Sequence, residues 1–222
     1  MRIVGGRWRR TPLAVAGRLG LRPTPERVRE TVFDWLAHLF GTLEGRTALD
    51  LFAGSGALGF EALSRGMRRA DFVELDRAQA VNLKAVAGRL SDDRAEAAVH
   101  LGEAFAFLDR SSGSWDVVFI DPPYALGLQD EAIARAAGRL SRDGVIYVER
   151  AGDRTSPEVL AASGLVRLRA MTAGQVACEL LGFADGPLAA LAKPEKPLRG
   201  KAAKIAARQA MKAAAAASEE EC

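Results

Sequence analysis

Residues 50–59 read Asp50-Leu51-Phe52-Ala53-Gly54-Ser55-Gly56-Ala57-Leu58-Gly59. They follow an apolar run of strand character and open a stretch with helical spacing, so the fold turns on what this glycine loop holds. The last six residues fit the G-x-G-x-x-G dinucleotide fingerprint, and Glu74 ends the next strand at about the distance expected of a ribose-binding acid. Taken alone, that describes a dehydrogenase. Asp50 argues otherwise. A carboxylate at the strand tip would oppose a pyrophosphate but favours a ligand carrying an ammonium and a sulfonium, and S-adenosyl-L-methionine carries both and no phosphate. On this reading Asp50, Phe52, Gly54 and Gly56 meet the cofactor and Glu74 accepts from both ribose hydroxyls. Asp76 is a second, weaker acid that also suits a helix cap, and Glu103 with Ala104 stands where the adenine would lie.

Outward from the loop, strands and helices alternate. Residues 47–52, 70–75, 97–101, 115–120 and 144–149 read as strands, many continuously apolar as a sheet covered on both faces requires. Helical spacing fills 57–65, 77–90, 103–110 and 128–140, and repeated strand–helix units imply a parallel, doubly wound sheet with right-handed crossovers. Ahead of them a helix starts near Thr24 as N-cap, with Pro25 at the first helical position and Glu26 at the positive dipole end. Val28, Val32, Phe33, Leu36 and Phe40 give it one buried face, and Gly41 ends it. Residues 2–15 alternate loosely around a Gly5-Gly6 break and could form a small hairpin. At the other end, 164–171 and 175–183 are joined by Thr172-Ala173-Gly174, which suggests an antiparallel hairpin at the sheet edge. Classical dinucleotide domains end on a parallel strand. The expected fold is therefore α/β: a doubly wound, mostly parallel seven-stranded sheet of the class I methyltransferase kind with an antiparallel last strand.

Directly after the apolar run Val117-Val118-Phe119-Ile120 comes Asp121-Pro122-Pro123-Tyr124. This stretch suits one chemical problem, methylation of an exocyclic amine conjugated to an aromatic ring. Such a nitrogen has its lone pair delocalised and is a poor nucleophile until acceptors hold its hydrogens. The Asp121 carboxylate and the Pro122 carbonyl can take those hydrogens, the Pro122-Pro123 turn fixes the backbone, and Tyr124 can stack on the base. The blander alternative, a strand stop with an acidic helix cap, loses ground once the glycine loop is read beside it.

A chain of 222 residues has room for one domain with a full core and short appendages. No run of eighteen apolar residues occurs and the start lacks a signal-peptide core, so a cytoplasmic address without membrane contact is expected. Two cysteines, Cys178 and Cys222, and two isolated histidines, His38 and His100, give neither a disulfide framework nor a metal site. No metal is expected to take part. The net charge of +3 conceals segregation: residues 1–29 hold eight Arg against one Glu, 193–212 hold seven Lys or Arg against Glu195, and the remainder is acidic. An acidic body with basic extensions fits an enzyme acting on a polyanion, since arginines near phosphates orient without reading sequence. Arg7, Trp8, Arg9, Arg10, Arg22, Arg27 and Arg29 are the candidate RNA contacts. Three regions follow: a basic extension at 1–23, the catalytic domain at 24–184 and a Lys/Ala-rich, mobile tail at 185–222.

Several stretches together resemble the bacterial 16S ribosomal RNA guanine-N2 methyltransferases of the RsmD type. They are Arg2-Ile3-Val4-Gly5-Gly6-Arg7-Trp8-Arg9, Leu21-Arg22-Pro23-Thr24 with Arg27-Val28-Arg29-Glu30, the 50–59 loop, Glu61-Ala62-Leu63-Ser64-Arg65-Gly66, Val73-Glu74-Leu75-Asp76-Arg77, Asp121-Pro122-Pro123-Tyr124 and Ile146-Tyr147-Val148-Glu149. The glycine loop and the Asp-Pro-Pro-Tyr turn are common to amino-directed methyltransferases. The arginine-rich start and the Arg-Pro-Thr segment are the specific part. Glu103 departs from the Asp frequent at that place, and the chain beyond Asp185 is outside the family core. The resemblance implies N2-methylguanosine formation on small-subunit ribosomal RNA or a ribosomal particle, by a monomer. An adenine-N6 methyltransferase would use the same four residues. A protein-glutamine methyltransferase would usually carry Asn in place of Asp121, and the intact loop and turn count against a ribosome-binding module without activity.

Overall fold

Alternation along each strand builds two cores. Ala48, Val117 and Val145 face one side of the sheet while their neighbours Leu49, Val118 and Ile146 face the other, and all are fully buried. The computed structural model describes residues 1–13 and 25–192. Arg22, Thr24 and the basic tail from Lys193 onward lie outside the described residues. The order of elements is α1 (Glu26–Phe40), β1 (Thr47–Asp50), α2 (Ala57–Ser64), β2 (Arg69–Glu74), α3 (Arg77–Leu90), β3 (Glu96–Leu101), α4 (Ala104–Arg110), β4 (Trp115–Ile120), α5 (Gln129–Ala137), β5 (Leu140–Ala151), α6 (Pro157–Ala162), β6 (Leu165–Ala173) and β7 (Val176–Phe183). Helices α1, α2 and α3 cover the first face through Phe33, Leu63 and Leu83, and α4, α5 and α6 cover the second through Leu108, Ile133 and Leu160.

The seven strands run in the order β3-β2-β1-β4-β5-β7-β6. Six run in one direction, and β7 alone enters antiparallel between β5 and β6. The edge hairpin expected from Thr172-Ala173-Gly174 is therefore present, with its second strand turned inward. After β3 the chain crosses back to start β4 on the other side of β1. The strand order thus reverses between β1 and β4, and in open α/β sheets the crevice outside the strand ends at such a point is where ligands bind.

Pro25 stands just outside α1 and Glu26 is its first residue. The buried stripe runs through Val28, Arg29, Val32, Phe33, Leu36 and Leu39. Phe40, expected in that stripe, is half-buried with the Arg46 guanidinium 3.8 Å from its ring centre. The first thirteen residues pack onto the body. Ile3 and Leu13 join the first core, and Arg2 bridges Pro12. Glu61 of α2, fully buried, accepts from the backbone N–H groups of Val4 and Gly5 at 2.7 Å each. Gly6 turns there with φ 73°, and a Cβ would sit 1.9 Å from the Ser64 carbonyl oxygen, so no other residue fits.

Candidate active site

Four acidic residues close four adjacent strands at one edge of the sheet. Glu74 ends β2 and Asp50 ends β1, Asp121 follows β4, and Glu149 lies near the end of β5. Register brings them together. Asp50 pairs with Phe72 and with Phe119, and Ile120 pairs with Val148, which sets Asp121 beside Glu149 one residue further on. The Leu51 N–H donates to the Phe119 carbonyl at 3.1 Å, so the glycine loop and the Asp-Pro-Pro-Tyr turn leave the sheet as neighbours. Both predicted motifs thus flank the β1/β4 switch point.

The glycine loop is held from below by its acids. Asp50 is 3% exposed and accepts from the Gly59 N–H at 3.0 Å, supplying a partner to one of the unpaired amides in the first turn of α2. Burial pushes its carboxyl up to about 7; the Gly59 bond opposes that and the nearby Glu74 charge adds to it. Asp50 therefore braces the loop. Glu74 accepts from Gly54 N–H and Asp76 N–H, both at 2.8 Å. Asp76 caps α3 by accepting from Gln79 N–H at 2.9 Å, and Glu103 caps α4 by accepting from the amides of Phe105 and Ala106. Ala104 is buried, and Phe52 meets Phe105 edge-on at 6.4 Å.

The three glycines divide by purpose. Gly54, at φ 50°, has open space where a Cβ would point, the nearest atom being the Phe52 carbonyl oxygen at 4.0 Å. A Cβ on Gly56 would instead strike Leu83 and Phe60 within 2.8 Å, and one on Gly59 would strike the Phe72 ring at 2.3 Å. Packing inside the protein thus already requires a glycine at 56, whatever the backbone there meets. Around Gly54, Leu75 and Leu101 at the tips of β2 and β3 are 72% and 47% exposed. Sequence reasoning passed over both. Exposed apolar side chains beside a carboxylate and a bare backbone suit a ligand joining a flat ring to a hydroxylated sugar.

On the other half, Pro122 is buried, Asp121 is half-buried and Tyr124 is 39% exposed on a single 3-10 turn, Tyr124–Leu126. Burial raises the Tyr124 phenol, and the charges of Asp121 and Glu149 raise it further. Glu149, which entered the sequence analysis only inside a motif, is 3% exposed and accepts from Tyr147 Oη at 2.7 Å and Tyr124 Oη at 3.5 Å. Its signal was an acid closing an otherwise unbroken apolar strand. Cys178, paired with Glu149 across β5 and β7, is buried and its thiol is pushed up to about 12, chiefly by desolvation and then by Glu149.

The candidate RNA contacts separate. Arg9, Arg10 and Arg27 are exposed. Arg7 makes a bidentate pair with Asp92 at 2.9 Å and lies 4.4 Å over the half-buried Trp8 ring. Arg29 is wholly buried and donates to the Arg2 carbonyl at 2.7 Å; the charges of Glu61, Glu26 and Glu149 oppose the downward pull of burial on its pKa. It ties α1 to the chain start and cannot reach a phosphate, which removes it from the RNA-facing set. His38 is exposed on α1, and the His100 ring lies 2.8 Å from Asp71. Among the described residues no group of three or more His, Cys, Asp or Glu is placed to hold a metal ion, and no helix is long and apolar enough to cross a membrane.

A family model described as Conserved hypothetical protein 95 matches residues 1–182. The ribosomal RNA small subunit methyltransferase D of Escherichia coli K12 is 41% identical over 182 residues, 81% of this chain and 88% of that one. A solved Escherichia coli methyltransferase, yhhF, superposes with a TM-score of 0.69 at 39% identity, over 82% of this chain and 96% of that one. A methyltransferase solved in complex with SAH shares the fold at 16% identity and TM-score 0.53, over 70% of this chain and 48% of that one.

Proposed function

Because this chain belongs to the RsmD-type family of methyltransferases, we propose that it transfers a methyl group from S-adenosyl-L-methionine to the exocyclic N2 of a guanine in small-subunit (16S) ribosomal RNA, forming N2-methylguanosine during ribosome assembly. The observation that carries this reading is the adjacency of the Asp121-Pro122-Pro123-Tyr124 turn and the Gly54 opening on either side of the switch point. When bound, the cofactor supplies an electrophilic methyl on a sulfonium. Glu74, Gly54, Phe52 and Leu75 would hold it, with Asp50 beneath.

The remaining chemistry belongs to the chain. Asp121 and the Pro122 carbonyl accept the two N2 hydrogens and turn the nitrogen toward the methyl, so catalysis is placement plus fixed acceptors. Extruding a base costs a few kcal/mol. Stacking on Tyr124 returns about 1–3 kcal/mol. These nearly offset each other, and phosphate contacts from Arg9, Arg10 and Arg27 supply the surplus affinity, with Arg7 joining by exchanging Asp92 for phosphate. Asp121 or solvent takes the proton released once the methylated amine is cationic. Incubation of the protein with labelled methyl donor and unmodified ribosomal RNA or particles, followed by digestion to nucleosides, tests the reading. N2-methylguanosine is the expected product; N6-methyladenosine would transfer the chain to adenine chemistry.

A further inference from the structure

We infer that the outer face of α3 is a phosphate track, on which Arg77, Lys84 and Arg89 carry the backbone of the substrate RNA from the strand tips toward the arginine-rich turn at Arg7–Arg10. This rests on the proposed RNA substrate and adds the route that the RNA takes over the protein. α3 starts directly behind the cofactor acids, with Asp76 as its N-cap, and its C-cap Ser91 precedes Asp92, the partner of Arg7. At 14 residues and about 1.5 Å per residue it covers roughly 21 Å, from the tip of β2 at Glu74 to the opposite edge, where β3 begins. Arg7, Arg9 and Arg10 lie at that opposite edge, because the Arg7 N–H donates to the carbonyl of Ser64, the last residue of α2, and the other two follow in the same turn. An RNA whose base enters at the Asp121 turn and whose phosphates reach Arg9 and Arg10 runs from one edge of the sheet to the other. α3 runs the same length.

The charge of α3 suits that task, for the helix carries three cations and no acid. Its buried side holds Gln79, Ala80, Leu83, Val86 and Ala87, while Arg77, Val81, Lys84, Gly88 and Arg89 are exposed. Arg77, Val81, Lys84 and Gly88 recur at helical spacing on one stripe, and Val81, 59% exposed, offers nothing that repels an anion. Among the described residues none of the three cations is engaged in an ion pair or a side-chain hydrogen bond. Other cations of the body are neutralised: Arg135 on α5 pairs with Glu131 and Asp109, Arg69 with Asp71 and Glu96, and Arg142 with Asp185. Arg77 also stands at the first position of α3, against the positive end of the helix dipole, and the first turn holds no acid. The helix gains nothing from a cation there, and an anion delivered from outside complements the dipole and the arginine together. In the following turn Asp92 is occupied by Arg7, and Asp93 is followed in sequence by Arg94.

Binding of unmodified small-subunit ribosomal RNA, naked and in particles, across a range of salt concentrations and with methylation kinetics alongside, tests the track in the full-length protein. Lys84→Ala combined with Arg89→Ala should weaken binding about tenfold at moderate salt and lower the slope of log affinity against log salt by about 1.8 on a duplex or about 1.4 on a single strand, the increment for two phosphate contacts. KM for RNA should rise by the same factor, while kcat and cofactor affinity by calorimetry stay at their wild-type values. Both side chains are exposed and alanine is the best helix former, so the double variant keeps its fold. Arg77→Gln should hold or raise the melting temperature by relieving the dipole, yet weaken RNA binding a few-fold, whereas loss of a structural arginine would lower the melting temperature. Arg135→Ala, which removes a cation already paired on α5, should leave the salt slope unchanged. A wild-type slope for the double variant, with N2-methylguanosine still formed, would overturn the track and leave the parent reading intact. A loss seen on particles but not on naked RNA would assign this face to a ribosomal protein and overturn the track as well. A slope that falls as expected with N6-methyladenosine as product would leave the track standing and remove the guanine reading.

Discussion

On the β1–β2 side of the switch point the acids bond to backbone amides, Asp50 to Gly59 and Glu74 to both Gly54 and Asp76, whereas on the β4–β5 side Glu149 meets the phenols of Tyr147 and Tyr124. Backbone partners are fixed by the path of the chain, so the first half presents a preformed cradle. Side-chain partners can rotate, and one of them, Tyr124, is exposed. A small cofactor of constant shape and a base delivered on a large RNA call for these two constructions respectively. The sharpest break of the comparison is Asp121→Ala. Turnover should fall by about 10³-fold, the upper range for loss of one placed electrostatic partner. Cofactor affinity measured by calorimetry should stay within about threefold, and a parallel loss of both would mean that the halves are not separable.

Glu74→Ala probes the other half. It strips two loop amides of their acceptor, and each orphaned amide costs about 1–3 kcal/mol where water cannot replace the partner. Glu74 is half-buried, which places the effect low in that range, and a cofactor affinity about 30-fold weaker is expected. With saturating cofactor, kcat should return to within about fivefold of wild type, because the acceptors for the amine are untouched. A kcat that remained down about 100-fold would tie Glu74 to the chemistry and dissolve the division.

The third test is a pH dependence. Asp50 in the folded protein titrates near 7, and a cationic ligand above it favours the ionised form. Cofactor affinity should therefore rise with pH, at most about tenfold per unit below 7, and level off above it. Stability has the opposite slope. The folded state holds the proton more tightly than the unfolded chain, whose Asp titrates near 3.8, so stability falls as pH rises from about 4 to 7 and is flat beyond. Asp50→Asn should flatten both curves, which titration calorimetry and thermal melts across pH 5–8 would register.

Much of this frame was legible in the chain. The strand at Trp115–Ile120 and the helix at Arg77–Leu90 fall where periodicity put them, because a sheet buried on both faces leaves an unbroken apolar run and an amphipathic helix leaves a stripe. β5 is longer than its apolar run, since Leu140 pairs with Trp115 before a bulge and Ala151 pairs with Val176 beyond the core, and neither partner is local in sequence. α6 was passed over at six residues, although Ser156-Pro157-Glu158 is a fair start signal and the Ser156 side chain accepts from Val159 N–H. Both site motifs were visible, but not how their acids are used, because that depends on which amides the loops turn inward. Arg29 shows the same gap: an arginine reads as solvated, yet its spacing to Val32, Phe33 and Leu36 already set it on the buried stripe of α1.

The smallest expected effects belong to the arginines, which lie outside both halves and bear on RNA alone. Arg9→Ala and Arg10→Ala each remove one exposed cation. Each should weaken RNA binding a few-fold at moderate salt and reduce the slope of log affinity against log salt by about 0.9, the increment for one phosphate contact on a duplex, or about 0.7 on a single strand. Cofactor affinity should not move. Arg29→Met supplies the contrast. Arg29 is buried against Arg2 and near two buried acids, Glu61 and Glu149, so its loss should lower the melting temperature and leave the salt slope as it was. Binding measured from 50 to 300 mM salt beside thermal melts separates the two classes, and a salt slope for Arg29→Met that falls like that of Arg9→Ala would return Arg29 to the RNA-facing surface.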